Sequence, residues 1–453
     1  MSSSDGNLHV ALLPSSGMGH LLPYLRLAAS LIHHQWSLTL ITTHPIVSSA
    51  ESQLISTFLS AFPQITQKKF TPIPLDPVAA NITDPFQLQW ETIRQSAHLL
   101  SPLISSSSPP LSFIITDVTL MSSVISVTAK LCLPNYILFT SSARMLSLFS
   151  CFPSIPSSIP KESLPPILLD SNSSFTKNFS DNSGSLKHFN GVLINSFEEL
   201  EKEPLEMLAS GNLTKGLPPV FPLGPFLPLE LERISLLAPL KWLENQEESS
   251  VVYVSFGSRT AISKEQIREL GNGLVLSGCK FLWVVKSKVV DKEEEEGLDE
   301  ILGHQLMKKI ENNGLVVKEW VDQWQILSQK AVGGFISHCG WNSVVEAAWH
   351  GIPVLGWPQQ GDQMINAEVI EAGGWGLCMK SWGWGSNHLV KGVEIGDKIK
   401  ELMGIGDKIK ELMGNQRMKM ECARISEVAK QRSKAGEGCE NMLKTLFQSL
   451  KKS

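Results

Sequence analysis

The feature that most constrains the fold is an alternation of short apolar runs with longer stretches of helical periodicity, repeated along most of the 453 residues. Such an alternation is typical of βαβ units around a parallel sheet. The predicted strands form two successive sets, at 9–13, 37–43, 113–116, 136–139 and 192–195, and then at 251–255, 281–285, 315–318, 334–337 and 354–357. The pattern therefore predicts an α/β protein with two doubly wound, Rossmann-like sheets.

A proline-rich connection separates the two sets of strands. Six prolines within residues 216–240 predict a stiff, extended segment, and a chain of this length exceeds what one hydrophobic core usually serves. We expect an N-terminal domain over 1–235, a C-terminal domain over 236–430, and a final helix over 431–453 that returns to the N-terminal domain. Doubly wound sheets bind ligands at the carboxyl ends of their strands, so the site should lie in the cleft between the domains.

Composition excludes several classes of function. The net charge is only -5 and no basic stripe is present, so a nucleic-acid partner is not expected. The seven cysteines are scattered without a C-x-x-C pair, which favours free thiols in a reducing compartment. The polar start of the chain lacks the features of a signal peptide, and no apolar run is long enough for a membrane span. We therefore predict a cytoplasmic protein, and a monomer.

Some segments are predicted to have no catalytic role. Residues 105–110 and 154–185 are rich in Ser, Pro and Asn and predict surface loops, and the charge run 291–296 predicts a solvated loop. The ten residues IGDKIKELMG at 395–404 are repeated at 405–414. Because ten residues fall short of three helical turns, the two copies cannot present their apolar residues on one face, and we predict a local duplication that lengthens a surface helix or loop.

A strand-turn-helix unit in the second half has the form of an anion site. The strand 334–337 leads through a turn with His338 and Gly340 into a helix that begins near Asn342 or Ser343. The start of a helix presents unpaired backbone N–H groups and the positive end of the helix dipole, to which these side chains add donors. The unit predicts a diphosphate site.

Other polar and aromatic residues follow the same strands. Glu346 lies one turn into the helix and can accept hydrogen bonds from ribose hydroxyls, while Trp320 and Gln323 offer an indole face and an amide edge to a flat base. Asp362 and Gln363 can bind sugar hydroxyls. Taken singly, each residue has an ordinary alternative as a core aromatic or a surface polar group.

The first half offers a candidate base. Residues Gly17 and Gly19 precede His20, but a lone G-x-G is weak, and a dinucleotide site would require a further glycine where Leu22 stands. An imidazole suits the deprotonation of a phenol at neutral pH, and Asp117, at the end of the strand F-I-I-T-D, can hold its other nitrogen. The pair predicts general-base chemistry at the sheet edge.

The segment 320–363, WVDQWQILSQKAVGGFISHCGWNSVVEAAWHGIPVLGWPQQGDQ, resembles over its whole length the signature box of plant secondary-product UDP-glycosyltransferases. The resemblance implies two facing Rossmann-like domains (the GT-B fold), with His20 as the base and Asp117 as its partner. It also implies a donor set in which Trp320 stacks on uracil, Gln323 and Glu346 hold the ribose, His338, Asn342 and Ser343 bind the diphosphate, and Trp341, Asp362 and Gln363 bind the sugar. Gly19, Gly257, Ser258, Val321 and Gly340 complete that set.

Further family features concern the reaction. The terminal Gln363 is associated with glucose, and Val321 and Asp322 depart from the Ala and Pro that are frequent in the family. The chain has no D-x-D pair to clamp a metal diphosphate, so we expect an inverting, metal-independent enzyme that needs no cofactor beyond UDP-glucose as co-substrate.

Three shorter stretches, D-P-F at 84–86, F-G-S-R-T-A at 256–261 and W-G-W-G at 382–385, resemble the flavonoid C-glucosyltransferases. That subgroup implies a 2-hydroxyflavanone or a dihydrochalcone such as phloretin as the phenolic acceptor, with Asp84, Phe86 and Met121 at its site. The alternatives are an O-glucosyltransferase, an inactive UDP-sugar-binding protein and a Rossmann oxidoreductase. The duplication at 395–414 departs from the family pattern.

Overall fold

Two parallel sheets follow each other along the chain in the computed structural model, which describes residues 8–155, 159–232, 237–257, 259–260, 262–286, 296–384, 388–405 and 409–434. The first sheet has the order β3-β2-β1-β4-β5-β6-β7 and the second the order β10-β9-β8-β11-β12-β13. The strands are β1 His9–Leu13, β2 Ser37–Thr43, β3 Thr66–Phe70, β4 Phe113–Asp117, β5 Asn135–Phe139, β6 Gly191–Ile194, β7 Val220–Pro222, β8 Val251–Ser255, β9 Lys280–Val284, β10 Gly314–Val317, β11 Val332–Ser337, β12 Val354–Gly356 and β13 Gly376–Cys378. Both orders reverse direction beside the first strand of their half, which confirms the predicted pair of doubly wound, Rossmann-like sheets.

Helices cover both sheets. In the first half they are α1 Met18–His33, α2 Ser49–Ala61, α3 Pro77–Ala80, α4 Pro85–Ser96, α5 Leu100–Ser105, α6 Met121–Lys130, α7 Ala143–Cys151, α8 Ser174–Ser185 and α9 Glu198–Ala209. In the second half they are α10 Leu237–Glu244, α11 Lys264–Ser277, α12 Leu298–Leu302, α13 His304–Ile310, α14 Gln323–Leu327, α15 Trp341–His350, α16 Gln363–Ala372, α17 Gly392–Met403 and α18 Ile409–Lys434. Because the inner strands are apolar on both faces, each sheet forms the centre of its own core.

All the predicted strands are present, and three more occur among the described residues. The additional strands are β3, β7 and β13, each at or near an edge of its sheet. Strand β3 has the polar sequence TQKKF, of which only Phe70 is buried, and the other two have three residues each. Such short or polar strands lack the apolar run on which the prediction depended.

The loop predicted at residues 154–185 was wrong in part. It contains the helix α8 and two short 3-10 turns, at Lys161–Ser163 and Pro166–Leu169. Phe175 and Phe179 lie one turn apart on α8, and Phe179 packs edge to face on Phe149 at 5.0 Å between centroids. This apolar stripe outweighs the low helix propensity of the Ser and Asn residues around it. Of the charged loop predicted at 291–296, residues 291–295 lie outside the described part of the chain.

The duplicated decapeptide does not merely lengthen a surface element. Its first copy lies in α17, where Ile395, Ile399 and Leu402 are fully buried. The helix ends at Gly404, which has a left-handed φ of 74°. The second copy begins after that break and continues into α18, with residues 406–408 outside the described part. The first copy therefore belongs to the core, and a glycine that ends the helix separates it from the second.

The two halves are in contact through several elements. Strand β7 and a 3-10 turn at Glu230–Glu232 occupy the predicted connection, of which residues 233–236 are not described. Helix α18 reaches the first half, where the guanidinium of Arg432 lies 5.9 Å from the ring centroid of Phe197. The domain boundaries stay a prediction. Of the helix predicted at 431–453 to return to the N-terminal domain, residues 435–453 lie outside the described part of the chain.

Candidate active site

A cleft of about 900 Å³ opens at the carboxyl ends of both sheets and is lined by residues of both halves. This is the place predicted from the topology. The predicted site residues on its wall are Gly19, His20, Asp84, Gly257, Trp320, Val321, Gln323, His338, Gly340, Trp341, Asn342, Ser343, Glu346, Asp362 and Gln363. Ser258 is not among the described residues. The structure thus brings most of the predicted set together around one cavity.

His20 and Asp117 form a hydrogen-bonded pair on the first-half side. His20 lies in the first turn of α1 and Asp117 ends β4, the strand next to β1, so the two side chains meet at one sheet edge. The distance from Nδ1 of His20 to Oδ2 of Asp117 is 3.0 Å. The backbone N–H and hydroxyl of Thr119 both donate to Oδ1 of the aspartate, at 3.0 and 2.8 Å. The carboxylate is therefore held in place, and Nε2 of the imidazole is left to face a substrate.

Charge in this pair favours the imidazolium. Burial lowers the pKa of His20, but the adjacent Asp117 carboxylate more than compensates, so the pKa of the histidine is raised. Burial alone would raise the pKa of Asp117. His20 and the two Thr119 donors outweigh burial and hold the pKa of Asp117 below its usual range. A carboxylate that stays ionised can stabilise the positive charge that a base acquires when it takes a proton.

His338 stands on the opposite wall in a different environment. Burial lowers its pKa to about 4, and the nearby backbone of Ser255 offsets only part of this effect. Two glycines make room for the ring: a Cβ on Gly257 would lie 2.6 Å from its Cε1, and a Cβ on Gly340 would lie 2.5 Å from its Nε2. The imidazole is therefore neutral at physiological pH and acts as a hydrogen-bond donor or acceptor rather than as a charge.

The start of α15 has the features of an anion site. Gly340 precedes the helix with no side-chain cap, so the first backbone N–H groups lack a side-chain acceptor, and residues 340–343 line the cleft. Oδ1 of Asn342 is buried on the cleft wall without a hydrogen-bond partner in the described chain. An orphaned buried acceptor beside open helix N–H groups indicates that the ligand completing the site carries a hydrogen-bond donor as well as an anionic group.

Glu346 lies at the centre of a polar cluster. Its Oε2 accepts a hydrogen bond from Nε2 of Gln323 at 2.9 Å, and that amide also donates to the hydroxyl of Ser343 at 3.0 Å. Its Oε1 is 3.0 Å from Nη2 of Arg26, which also binds Glu232. Burial raises the pKa of Glu346, and Arg26 opposes that rise. The predicted ribose residues are thus arranged around one carboxylate.

The predicted sugar residues have defined partners. Asp362 is bonded to the hydroxyl of Ser141 and, at 2.9 Å, to the amide of Asn366. Oε1 of Gln363 accepts from two backbone N–H groups of the preceding loop, at 2.8 and 3.0 Å. Nε1 of Trp341 donates to the Asn195 carbonyl at 2.8 Å, so its indole N–H serves the contact between the halves. Trp320, by contrast, is 49% exposed, which leaves its ring open to a flat base.

Two of the three predicted acceptor residues do not line the cleft. Met121 is fully buried in the first-half core, because its side chain points from α6 onto the sheet. Phe86 is 3% exposed and lies under the guanidinium of Arg259, 4.3 Å from its ring centroid. Asp84 does reach the cleft, but its Oδ1 caps α4 by accepting from the Phe86 and Gln87 N–H groups, and its Oδ2 pairs with Arg259 at 2.8 Å. Phe86 and Met121 therefore pack inside the first half in this structure, and their role at the acceptor site stays a prediction.

Sequence reasoning missed several cleft residues. Aromatic residues from β5, α7 and α8 form an apolar wall, and the ring of Trp90 lies 5.5 Å from that of His20. Thr140 and Ser141 follow β5 at the same sheet edge as Asp117, and the Thr140 hydroxyl is 3.2 Å from Nδ1 of His20. Their position after a buried strand was the signal that could have found them. The missed wall residues are Trp90, Phe139, Thr140, Ser141, Phe149, Phe175 and Phe179.

Two searches of the described residues gave negative results. No group of three or more His, Cys, Asp or Glu side chains in that part of the chain is placed to hold a metal ion. None of its helices is long and apolar enough to cross a bilayer.

The chain is similar to known glycosyltransferases in sequence and in structure. Residues 239–398 match the family model "UDP-glucoronosyl and UDP-glucosyl transferase". The chain is 52% identical to UDP-glycosyltransferase 708G2 of Citrus unshiu, with 99% of this chain and 97% of that protein covered. It is 44% identical to UDP-glycosyltransferase CGT of Oryza sativa subsp. japonica, with 87% and 88% covered. The crystal structure of LpCGTa in complex with UDP superposes with a TM-score of 0.85 at 41% identity, covering 98% of this chain and 99% of that one.

Proposed function

Since the chain belongs to the plant UDP-glycosyltransferase family, we propose that it transfers glucose from UDP-glucose to a phenolic carbon with inversion at the anomeric centre. One observation carries the proposal: the His20–Asp117 pair opens on the same cleft as the anion site of α15 and the Glu346 cluster. A base and a nucleotide-sugar site that share a cavity suit a direct displacement.

The donor half supports a UDP-sugar by its chemistry. The open N–H groups at the start of α15 suit a diphosphate, the unpaired Asn342 oxygen suits a hydroxyl of the same donor, and the half-exposed Trp320 ring suits a base. These groups can also stabilise the negative charge of the departing UDP. Asp362 and Gln363 lie on the cleft wall beside them, where a hexose would follow the diphosphate.

The acceptor half supports a flat aromatic substrate. Its wall carries Phe139, Phe149 and Phe179 together with Trp90 beside the base. Such a wall favours stacking on planar rings and disfavours a sugar or a charged acceptor. A dihydrochalcone such as phloretin, or a 2-hydroxyflavanone, presents a suitable ring with an acidic hydroxyl.

The proposed reaction proceeds by one displacement. The acceptor hydroxyl gives its proton to Nε2 of His20, and Asp117 stabilises the imidazolium. The phenolate carries charge on its ortho carbon, which attacks the anomeric carbon as the bond to UDP breaks and its electron pair leaves with the diphosphate. The ring carbon then loses its proton and the carbonyl oxygen regains one, which restores the phenol. Attack from the face opposite UDP yields a β-linked product from an α-linked donor.

The linkage is tested by product stability. The enzyme is incubated with UDP-glucose and phloretin or 2-hydroxynaringenin, and the product is heated in acid before chromatography. An acid-stable glucoside supports a carbon–carbon bond, whereas an acid-labile glucoside would overturn the proposed C-glucosylation in favour of O-glucosylation. Absence of UDP release with every phenol tested would overturn glucosyl transfer itself. A cytoplasmic location, a monomeric state and independence of metals and cofactors stay predictions.

A further inference from the structure

Arg26 is a buried charge that the proposed reaction does not use. It lies on α1, six residues after His20, and is 5% exposed. Its guanidinium binds Glu232 of the connection through Nε and Nη2, the latter at 2.7 Å from Oε2. The same Nη2 lies 3.0 Å from Oε1 of Glu346 on α15. One side chain therefore joins the helix of the base, the segment between the halves and the carboxylate at the nucleotide site.

The charges in this cluster do not balance. Two carboxylates share one guanidinium, which leaves an excess negative charge in a buried place. The ionisable groups that face Glu346 are Arg26 from α1, Glu232 from the 3-10 turn and Tyr253 from β8. A buried carboxylate with incomplete compensation is stabilised by additional hydrogen-bond donors. A vicinal diol supplies two such donors.

We infer that Arg26 is a positioning residue of the donor site, which keeps Glu346 ionised and oriented to accept hydrogen bonds from the ribose diol of the donor. The inference rests on the proposed function, because it takes the ligand of Glu346 to be the ribose of a UDP-sugar. Arg26 does not touch the reacting atoms.

The placement of Arg26 has a consequence for alignment. Arg26 lies six helical positions after His20, a rise of about 9 Å along α1. Because the base and the tether to the donor carboxylate lie on the same helix, binding of the nucleotide also constrains where His20 stands relative to the donor. Glu232 holds the same guanidinium from the connection, so movement between the halves would disturb this contact.

The test is UDP binding by calorimetry in the absence of acceptor, with the full chain. Arg26→Gln should weaken UDP binding about tenfold or more and raise the KM for UDP-glucose similarly, while kcat at saturating donor stays within about threefold, since the positioning of one carboxylate is typically worth a hydrogen bond to a charged group. Without the guanidinium, Glu346 protonates at a higher pH. UDP affinity of the variant should therefore fall more steeply than that of the wild type as the pH drops toward 6.

A double variant separates action through Glu346 from a general structural role. If Arg26 acts through that carboxylate, Arg26→Gln should add little to the loss already caused by Glu346→Gln. Arg144→Gln is the matched control, because Arg144 also pairs across the halves, at 2.9 Å from Glu368, but does not line the cleft. It should leave UDP affinity unchanged.

Several results would overturn the inference: wild-type UDP affinity in folded Arg26→Gln, an equal loss in Arg144→Gln, or full additivity with Glu346→Gln. Should Arg26→Gln fail to fold, Arg26→Lys carries the test, since it keeps the charge but not the planar fork. It should lose affinity severalfold, with a pH dependence like that of the wild type. Wild-type affinity in the lysine variant would then refute the inference. A wild-type protein that binds UDP but transfers no glucose would refute the proposed function while leaving this test intact.

Discussion

The two halves place different residues at topologically equivalent sheet edges. In the first half, His20 follows β1 and Asp117 follows the neighbouring β4. In the second half, Gly257 follows β8 and His338 follows the neighbouring β11. One edge therefore carries a histidine against a carboxylate, and the other carries a histidine against a glycine.

The difference sets the charge of the two imidazoles in opposite directions. Burial acts on both rings, but only His20 has an anionic partner, so its pKa is raised while that of His338 falls to about 4. The shared βα geometry brings each ring to the cleft, and the residue at the adjacent strand end decides whether it can carry a proton. One architecture thereby holds an imidazole with a raised pKa on one wall of the cleft and an imidazole with a lowered pKa on the other.

The largest expected effect comes from removal of the base. His20→Ala should lower the turnover of UDP-glucose with a phenolic acceptor by about 10³-fold, in the range that general-base catalysis contributes. UDP affinity by calorimetry should stay near that of the wild type, because the donor groups lie on the other wall. If His20→Ala kept turnover within tenfold of the wild type, His20 would not be the base, and the proposed contrast between His20 and His338 would be wrong.

A smaller effect should follow when only the charge of the partner is removed. Asp117→Asn leaves an imidazole in place but removes the anion that raises the pKa of His20, so turnover at its plateau should fall about 10- to 100-fold. The base acts in its neutral form, so kcat/KM of the wild type declines as the pH falls through the pKa of His20. In the variant that pKa is lower, and the acidic limb should move to lower pH.

The pH profile is the decisive readout for this variant. An unshifted acidic limb would mean that Asp117 does not set the charge of His20. His20→Ala, measured for residual activity under the same conditions, serves as the control, because its profile should lack this limb altogether.

The smallest effect concerns the glycine at the second edge. A methyl group on Gly257 would meet the His338 ring at 2.6 Å, so Gly257→Ala should displace that ring and raise the KM for UDP-glucose about tenfold, with kcat changed less. Initial-rate kinetics at varied donor concentration measure the split.

The control for this substitution is Gly303→Ala. Gly303 also has a positive φ, of 86°, but no atom lies within 4 Å of where its Cβ would be. It likewise places a side chain at a positive φ, which strains the backbone, but without the clash, and it should leave the donor KM unchanged. Equal changes in both variants would assign the effect to backbone strain rather than to the His338 ring.

Much of this arrangement could be predicted before the structure. The paired positions of His20 and Asp117 follow from strand ends that share a sheet edge, and the donor segment 320–363 carries its strand, turn and helix in consecutive residues. The acceptor side was harder. Met121 and Phe86 are buried by segments distant in sequence, and the aromatic wall comes partly from α8, whose Ser-rich and Asn-rich sequence resembles a loop.

The sequence by itself determined the two sheets, the strand ends and the local anion site, because periodicity, caps and turns depend on residues close together in the chain. Only the tertiary structure decided which distant groups share a charge. Arg26 meets Glu232 and Glu346 from 206 and 320 residues away, and Arg259 covers Phe86 from the other half. These pairings depend on how the two halves pack. That packing results from many weak contacts acting together, which no local sequence pattern specifies.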